Sequence, residues 1–199
     1  MESRGIQTGD KFCLMGGTAM PITAAEVVQA AAARPVTLSS VMEASEVMGQ
    51  RYQILAYTGK AIAQWWSRVP LVIDLSASTI SKVFPILQHH SSMLIIGHAE
   101  SAVNEENRLL KLNGIVSVPS AASLEFVLAA RAKFPWRASV GANTFAVKNI
   151  GANESVTVNG RTFKGPVDVV SVNFTETSIL PLPADDETSV SLVGTRKET

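Results

Sequence analysis

The chain carries three histidines within one short stretch, His89, His90 and His98, and a serine, Ser139, set in the strand-like run FPWRASVGAN. A hydroxyl and an imidazole make a nucleophile and its base when a third group orients the imidazole. Ser139 has small neighbours in Ala138 and Gly141, which leave room for a substrate backbone. The same residues also read as an ordinary strand serine beside a packing Trp136, and from the residues by themselves that plainer reading comes first. Other chemistry finds less support. The histidines offer no i, i+4 helical pair, and the single cysteine, Cys13, gives no thiolate cluster and no intrachain disulfide, so no metal site is expected. No GxxxxGK[ST] or strand-borne GxGxxG occurs, and no cofactor is expected. Cys13 is expected to be inert.

Lys+Arg is 17 and Asp+Glu is 17, for a formal net charge of +0. A neutral balance argues against a nucleic-acid binder, which needs a basic surface to displace counterions from phosphate, and against a polybasic membrane anchor. The longest apolar runs, such as LVIDL and MLIIG, fall far short of the roughly 18 residues of a spanning helix. The N-terminal run MESRGIQTGDKFCLMGG has no apolar stretch of signal-peptide length. One cysteine and 199 residues suit a single domain in a reducing compartment. Charged residues are only 17%, so some surface is expected to be hidden in an assembly.

Residues 1–21 read as an irregular arm. Thr23 and Glu26 form a capping box for a helix that Pro35 ends, and VTLSSVMEASEVMGQ is an ambiguous second helical stretch ending at Gly49. From Tyr52 the runs YQILAYTG, VPLVIDLSA, MLIIGHAE and LLKLNGIVSV predict strands, with STISKVFPILQHH helical or turn-like between them. SAASLEFVLAARAKF predicts a helix capped by Ser120 or Ser123, with Leu124, Val127 and Leu128 on its buried face. RASVGANTFAVKNI returns to strand, Asn159-Gly160 marks a type I′ hairpin, and PVDVVSVNFTETSILPLP supplies one or two strands. The polar end is expected to fray beyond Val190. Trp65, Trp66 and Trp136 read as core or subunit contacts, and Asp185 and Asp186 as solvated turn residues. Strands and helices do not alternate strictly, so the expected fold is α+β: a mostly antiparallel sheet or barrel with a few helices around it. The division is 1–50 as an arm and helix, 51–190 as the domain, and 191–199 as a flexible tail.

Four blocks in order, FPILQHHSSMLIIGHAE, FPWRASVGA, VTVNGRTFKGPVDVV and TETSILPLPADDETSV, with YTGKAIAQWW and PLVIDLSA upstream, resemble the tailed-phage prohead protease family. These are capsid-maturation serine proteases with a herpesvirus-assemblin-like fold, and the resemblance spans roughly residues 52–190. It implies His90 as general base, Ser139 as nucleophile and Glu176 as the third member. His98 is the alternative third member, because herpesvirus relatives use a second histidine, although theirs follows the serine. Backbone N–H groups at Val140 and Gly141, assisted by Arg137, are the implied oxyanion donors. The chain departs from the family pattern at the flanks of His90, where His89 and Ser91 stand instead of acidic residues. As neighbours on a strand, His89 and His90 would point to opposite faces. The implied partners are scaffold and major capsid protein as substrates, the chain itself by self-cleavage, and further copies in a homo-oligomer such as a dimer. The implied location is the host cytoplasm, inside the procapsid. A catalytically silent capsid-assembly or scaffold component that keeps the fold is the alternative, and an unrelated β-rich binding domain is a third reading.

Overall fold

In chain order the strands are β1 (Lys11–Cys13), β2 (Arg51–Tyr57), β3 (Ile62–Gln64), β4 (Ser67–Ile73), β5 (Thr79–Ile80), β6 (Pro85–Gln88), β7 (Ser91–Glu105) and β8 (Leu109–Val116). The helix α1 (Ala121–Arg131) follows, and then β9 (Arg137–Ile150), β10 (Ser155–Val158), β11 (Arg161–Lys164), β12 (Val167–Leu180) and β13 (Ser189–Leu192). These come from a computed structural model that describes the backbone of 11–13 and residues 46–64, 67–81 and 83–194. The helix expected from Thr23 to Pro35, Trp65, Trp66 and the side chain of Cys13 lie outside the described residues.

The sheet is organised by β12, whose VDVVSVNF half is rich in β-branched residues that suit a pleated, buried surface. One edge of β12 pairs antiparallel with β9, from Val167 opposite Ile150 to Leu180 opposite Arg137. Its other edge takes three parallel partners in succession: β4 at 168–170, β5 at 173–174 and β6 at 177–179. From β6 the sheet continues antiparallel through β7, β8 and β2 to β13, and β1 borders β9 on the far side. Among the described residues this is an α+β fold, mostly strand, in which most pairings are antiparallel.

Among the described residues the sheet is not closed into a barrel. Where a closing ladder would stand, Thr188 fastens the start of β9. Its hydroxyl accepts from the Ala138 N–H (3.0 Å), its carbonyl accepts from Arg137 Nη1 (2.6 Å), and the Val190 N–H donates to the Trp136 carbonyl (3.2 Å). The chain stays in the sheet past Val190, because Ser191 and Leu192 pair with Gln53 and Tyr52; the ordered part therefore extends beyond the boundary expected from the polar sequence.

Three local expectations change. Among its described residues STISKVFPILQHH contains β5 and β6 and no helix, and of its expected turn character only His89–His90 is a turn: Ile86, Leu87 and Gln88 are buried between β12 and β7, and that burial outweighs the weak local signal. Ser120 caps α1, accepting the Ser123 N–H at 3.1 Å, but the buried face is Ala122, Ser123, Phe126 and Val127, while Leu128 is exposed. Phe126 sets that rotation, because it lies edge-on to Tyr52 at 5.4 Å and its carbonyl accepts the Trp136 indole N–H. Asp185 is no solvated turn residue. It is 3% exposed and accepts both the N–H and the hydroxyl of Thr58 at 2.8 Å each, whereas Asp186 lies in solvent and pairs with Lys60. As expected, Trp136 is buried and the Asn159-Gly160 turn has positive φ at both residues, the type I′ form.

Thr58 is itself buried, so removing its acceptor strands two donors. Asp185→Ala is expected to cost about 2–3 kcal/mol, measured as a lower urea midpoint with an unchanged slope. An unshifted midpoint would show that this carboxylate does not anchor the segment before β13.

Candidate active site

A bulge in β12 aims the site. Val170, Val172 and Phe174 face the main core, and by simple alternation Glu176 would follow them there. The register shifts between Phe174 and Glu176, so Thr175 is an extra residue, and the phase flips. Beyond it Thr177 and Ile179 are buried on the core side with Ala138, Val140 and Ala142, and Glu176 and Ser178 turn to the opposite face. Directly opposite them in β9 stand Gly141 and Ser139, and residues opposed in an antiparallel pair share a face. Ser139, Gly141, Glu176 and Ser178 thus form one patch, in which Ser139 and Ser178 are both buried.

β6 supplies the histidine. Leu87 and Gln88 pair with Ser178 and Ile179, after which the chain reverses through His89 and His90 into Ser91. Their φ values are 54° and 57°, so the two histidines occupy the central positions of a two-residue type I′ turn, a place usually taken by Asn-Gly. They are not strand neighbours on opposite faces. A left-handed non-glycine residue costs about 1–2 kcal/mol, and such strain collects at functional sites.

The turn folds His90 over β12. Its N–H donates to Ser178 Oγ (2.9 Å), and its Nδ1 lies 2.7 Å from Glu176 Oε1. The Ser178 hydroxyl donates to the second carboxylate oxygen, Oε2, at 3.0 Å. The His90 side chain is 7% exposed and that of Glu176 14%. An ionised carboxylate only accepts, so the proton of a neutral His90 sits on Nδ1 and the lone pair on Nε2. That Nε2 is buried and has no hydrogen-bond partner among the described residues.

Gly141 has a steric reason to be glycine. A Cβ there would overlap Glu176 Oε1 and stand 2.7 Å from its Cδ, so the carboxylate lies directly on the backbone of β9.

The sequence-predicted residues therefore divide clearly. His90 and Glu176 are in contact, and Ser139 is placed beside them across Ser178, which pairs with it and binds His90. His98 does not join them. It lies at the far end of β6, opposite Pro85, with its Nδ1 2.7 Å from Ser117 Oγ, as a hydrogen-bonded strand residue. His89 is exposed. Val140 points its side chain into the core, and Arg137 spends Nη1 on the Thr188 carbonyl. Among the described residues, no three His, Cys, Asp or Glu side chains gather as metal ligands. The residue that sequence reasoning missed is Ser178. Its signal was the i, i+2 spacing from Glu176 in TETSI, which places two polar groups on one face of a strand.

Compared with known proteins, the chain matches no family model and no curated relative.

Chemically, the patch is an imidazole with a fixed tautomer, a carboxylate held at both oxygens and a serine on the same face. Gly141→Ala is expected to lift Glu176 off β9 and break its bond to His90. The low-field imidazole N–H signal should disappear from the proton NMR spectrum, with a stability loss of about 1–3 kcal/mol from overpacking. Retention of that signal would show that the carboxylate does not depend on the glycine.

Proposed function

We propose that this chain is a serine endopeptidase with Ser139 as nucleophile, His90 as general base and Glu176 as the group that orients it. The observation that carries the reading is His90 itself. Nδ1 is tied to a carboxylate and Nε2 is buried without a partner among the described residues, on a patch shared with Ser139. Such an imidazole is prepared to take a proton.

In this reading Ser139 Oγ attacks the peptide carbonyl while His90 Nε2 removes its proton. Glu176 holds the imidazolium that forms. The family resemblance makes the Val140 and Gly141 N–H groups the proposed oxyanion donors; as successive residues of β9 they point to opposite edges of the strand, so no more than one of them serves, a contribution of about 3–4 kcal/mol where it has been measured. His90 then returns the proton to the leaving amine, and water, deprotonated in turn by His90, releases the acyl group from Ser139.

The family resemblance supplies the proposed substrates: segments of scaffold and major capsid protein inside an immature phage shell, and the chain itself. A neutral, sparingly charged sequence suits polypeptide partners, including further copies of the chain. The herpesvirus-protease-like fold and a location in the host cytoplasm belong to the same proposal. Among the described residues no helix is long and apolar enough to cross a membrane.

One observation favours a second reading, a catalytically silent assembly component that keeps the fold. Ser139 is only 3% exposed, so a peptide reaches it only after its covering moves. Co-expression with scaffold and capsid protein separates the two. The wild type should process the scaffold. Ser139→Ala and His90→Ala should each abolish processing while keeping the circular dichroism spectrum of the wild type, with His90→Ala melting at a lower temperature because it loses the bond to Glu176. Glu176→Gln should slow it by about 10⁴-fold, the size of the loss when the group that holds the tautomer becomes an amide. Full processing by both alanine variants would remove these residues from the reaction.

A further inference from the structure

One side chain at the site has no part in the scheme above. Ser178 is fully buried, and its single hydroxyl makes two hydrogen bonds at the site. Its oxygen accepts the His90 N–H at 2.9 Å, and its proton goes to Glu176 Oε2 at 3.0 Å. The first bond fixes the backbone of a strained turn. The second fixes the carboxylate that fixes the ring. The same residue pairs with Ser139 across the β9–β12 ladder.

We propose that Ser178 is a positioning residue that sets base, orienting carboxylate and nucleophile in one frame, a role that rests on the protease reading. A one-residue register is enough to give it both hydrogen bonds and its place opposite Ser139. Carboxylate and base come from distant parts of the chain, β12 and the β6–β7 turn, and Ser178 bonds to both of them. Removing the hydroxyl leaves the His90 N–H without its acceptor and Glu176 Oε2 without that donor, so the carboxylate and the ring gain freedom together. Ser178 touches neither the scissile bond nor the leaving group in the scheme, so it affects turnover through His90.

The test uses the full chain, a fluorophosphonate probe and proton NMR. In the wild type, His90 Nδ1–H should give a low-field signal, assigned by its loss in His90→Ala. In Ser178→Ala that signal should broaden away, and the maximal rate of Ser139 modification should fall about 10- to 100-fold, the worth of a hydrogen bond to a charged group, with probe affinity little changed. Ser178→Thr, which keeps the hydroxyl, should restore both. If the alanine variant does not fold, Ser178→Cys fills the same space with a weak donor and should show the same two losses. An unchanged signal or an unchanged maximal rate in a folded variant overturns the positioning role and leaves the protease reading standing. Failure of the wild type to react at Ser139, with a signal that still responds to Ser178, sinks the protease reading instead.

Discussion

The register of β12 between β9 and β6 is the constraint on which the rest depends. Side chains alternate along a strand, so a slip of one residue sends Glu176 and Ser178 into the core and brings Thr177 and Ile179 to the site. The apolar side of the same strand prevents that slip. Val170, Val172, Phe174 and Ile179 are all buried in the main core, and exchanging them for Glu176 would place a carboxylate among apolar groups. The bulge at Thr175 reconciles two demands that a regular strand cannot meet, namely a continuous apolar face and a carboxylate four residues before its end that faces away from it.

The second dependence is energetic. Two histidines in left-handed conformation cost about 1–2 kcal/mol each. The bonds formed by that turn are of similar size: about 1 kcal/mol for each neutral bond, from His89 N–H to the Ile179 carbonyl and from His90 N–H to Ser178, and about 1.5–3 kcal/mol for the bond of His90 to Glu176 when that carboxylate is ionised. The turn is therefore stable where β12 is beside it and strained without it. A tight hairpin also leaves the ring few alternative positions, which is what a base with a defined reach requires.

How much of this was legible in the sequence follows from whether the signal was local. Asn159-Gly160, the α1 cap at Ser120 and the long run of β12 are written in neighbouring residues and were readable. The roles of His90, Ser139 and Glu176 were expected only from the family resemblance, and the contact of His90 with Glu176 is what the fold adds to it. Leu128 was misplaced because the buried face of α1 is chosen by where Phe126 fits between Tyr52 and Trp136, not by the helix's own period. β6 was misread because Pro85 and a short run give little local pattern, while its burial comes from strands far away in the chain. Asp185 looked solvated because its partner, Thr58, is remote in sequence. The i, i+2 spacing of Glu176 and Ser178 is local, but the bulge before them inverts the alternation and so conceals which face the pair takes.

The central claim is that His90 activates Ser139. Mass-spectrometric mapping of the adduct formed by a fluorophosphonate tests it most directly, since the probe needs no knowledge of the natural substrate. The account predicts one adduct, on Ser139, in the wild-type chain, and none on the same time scale in a folded His90→Ala variant. An adduct on another residue, no adduct in the wild type, or equal labelling of Ser139 without His90 would contradict it.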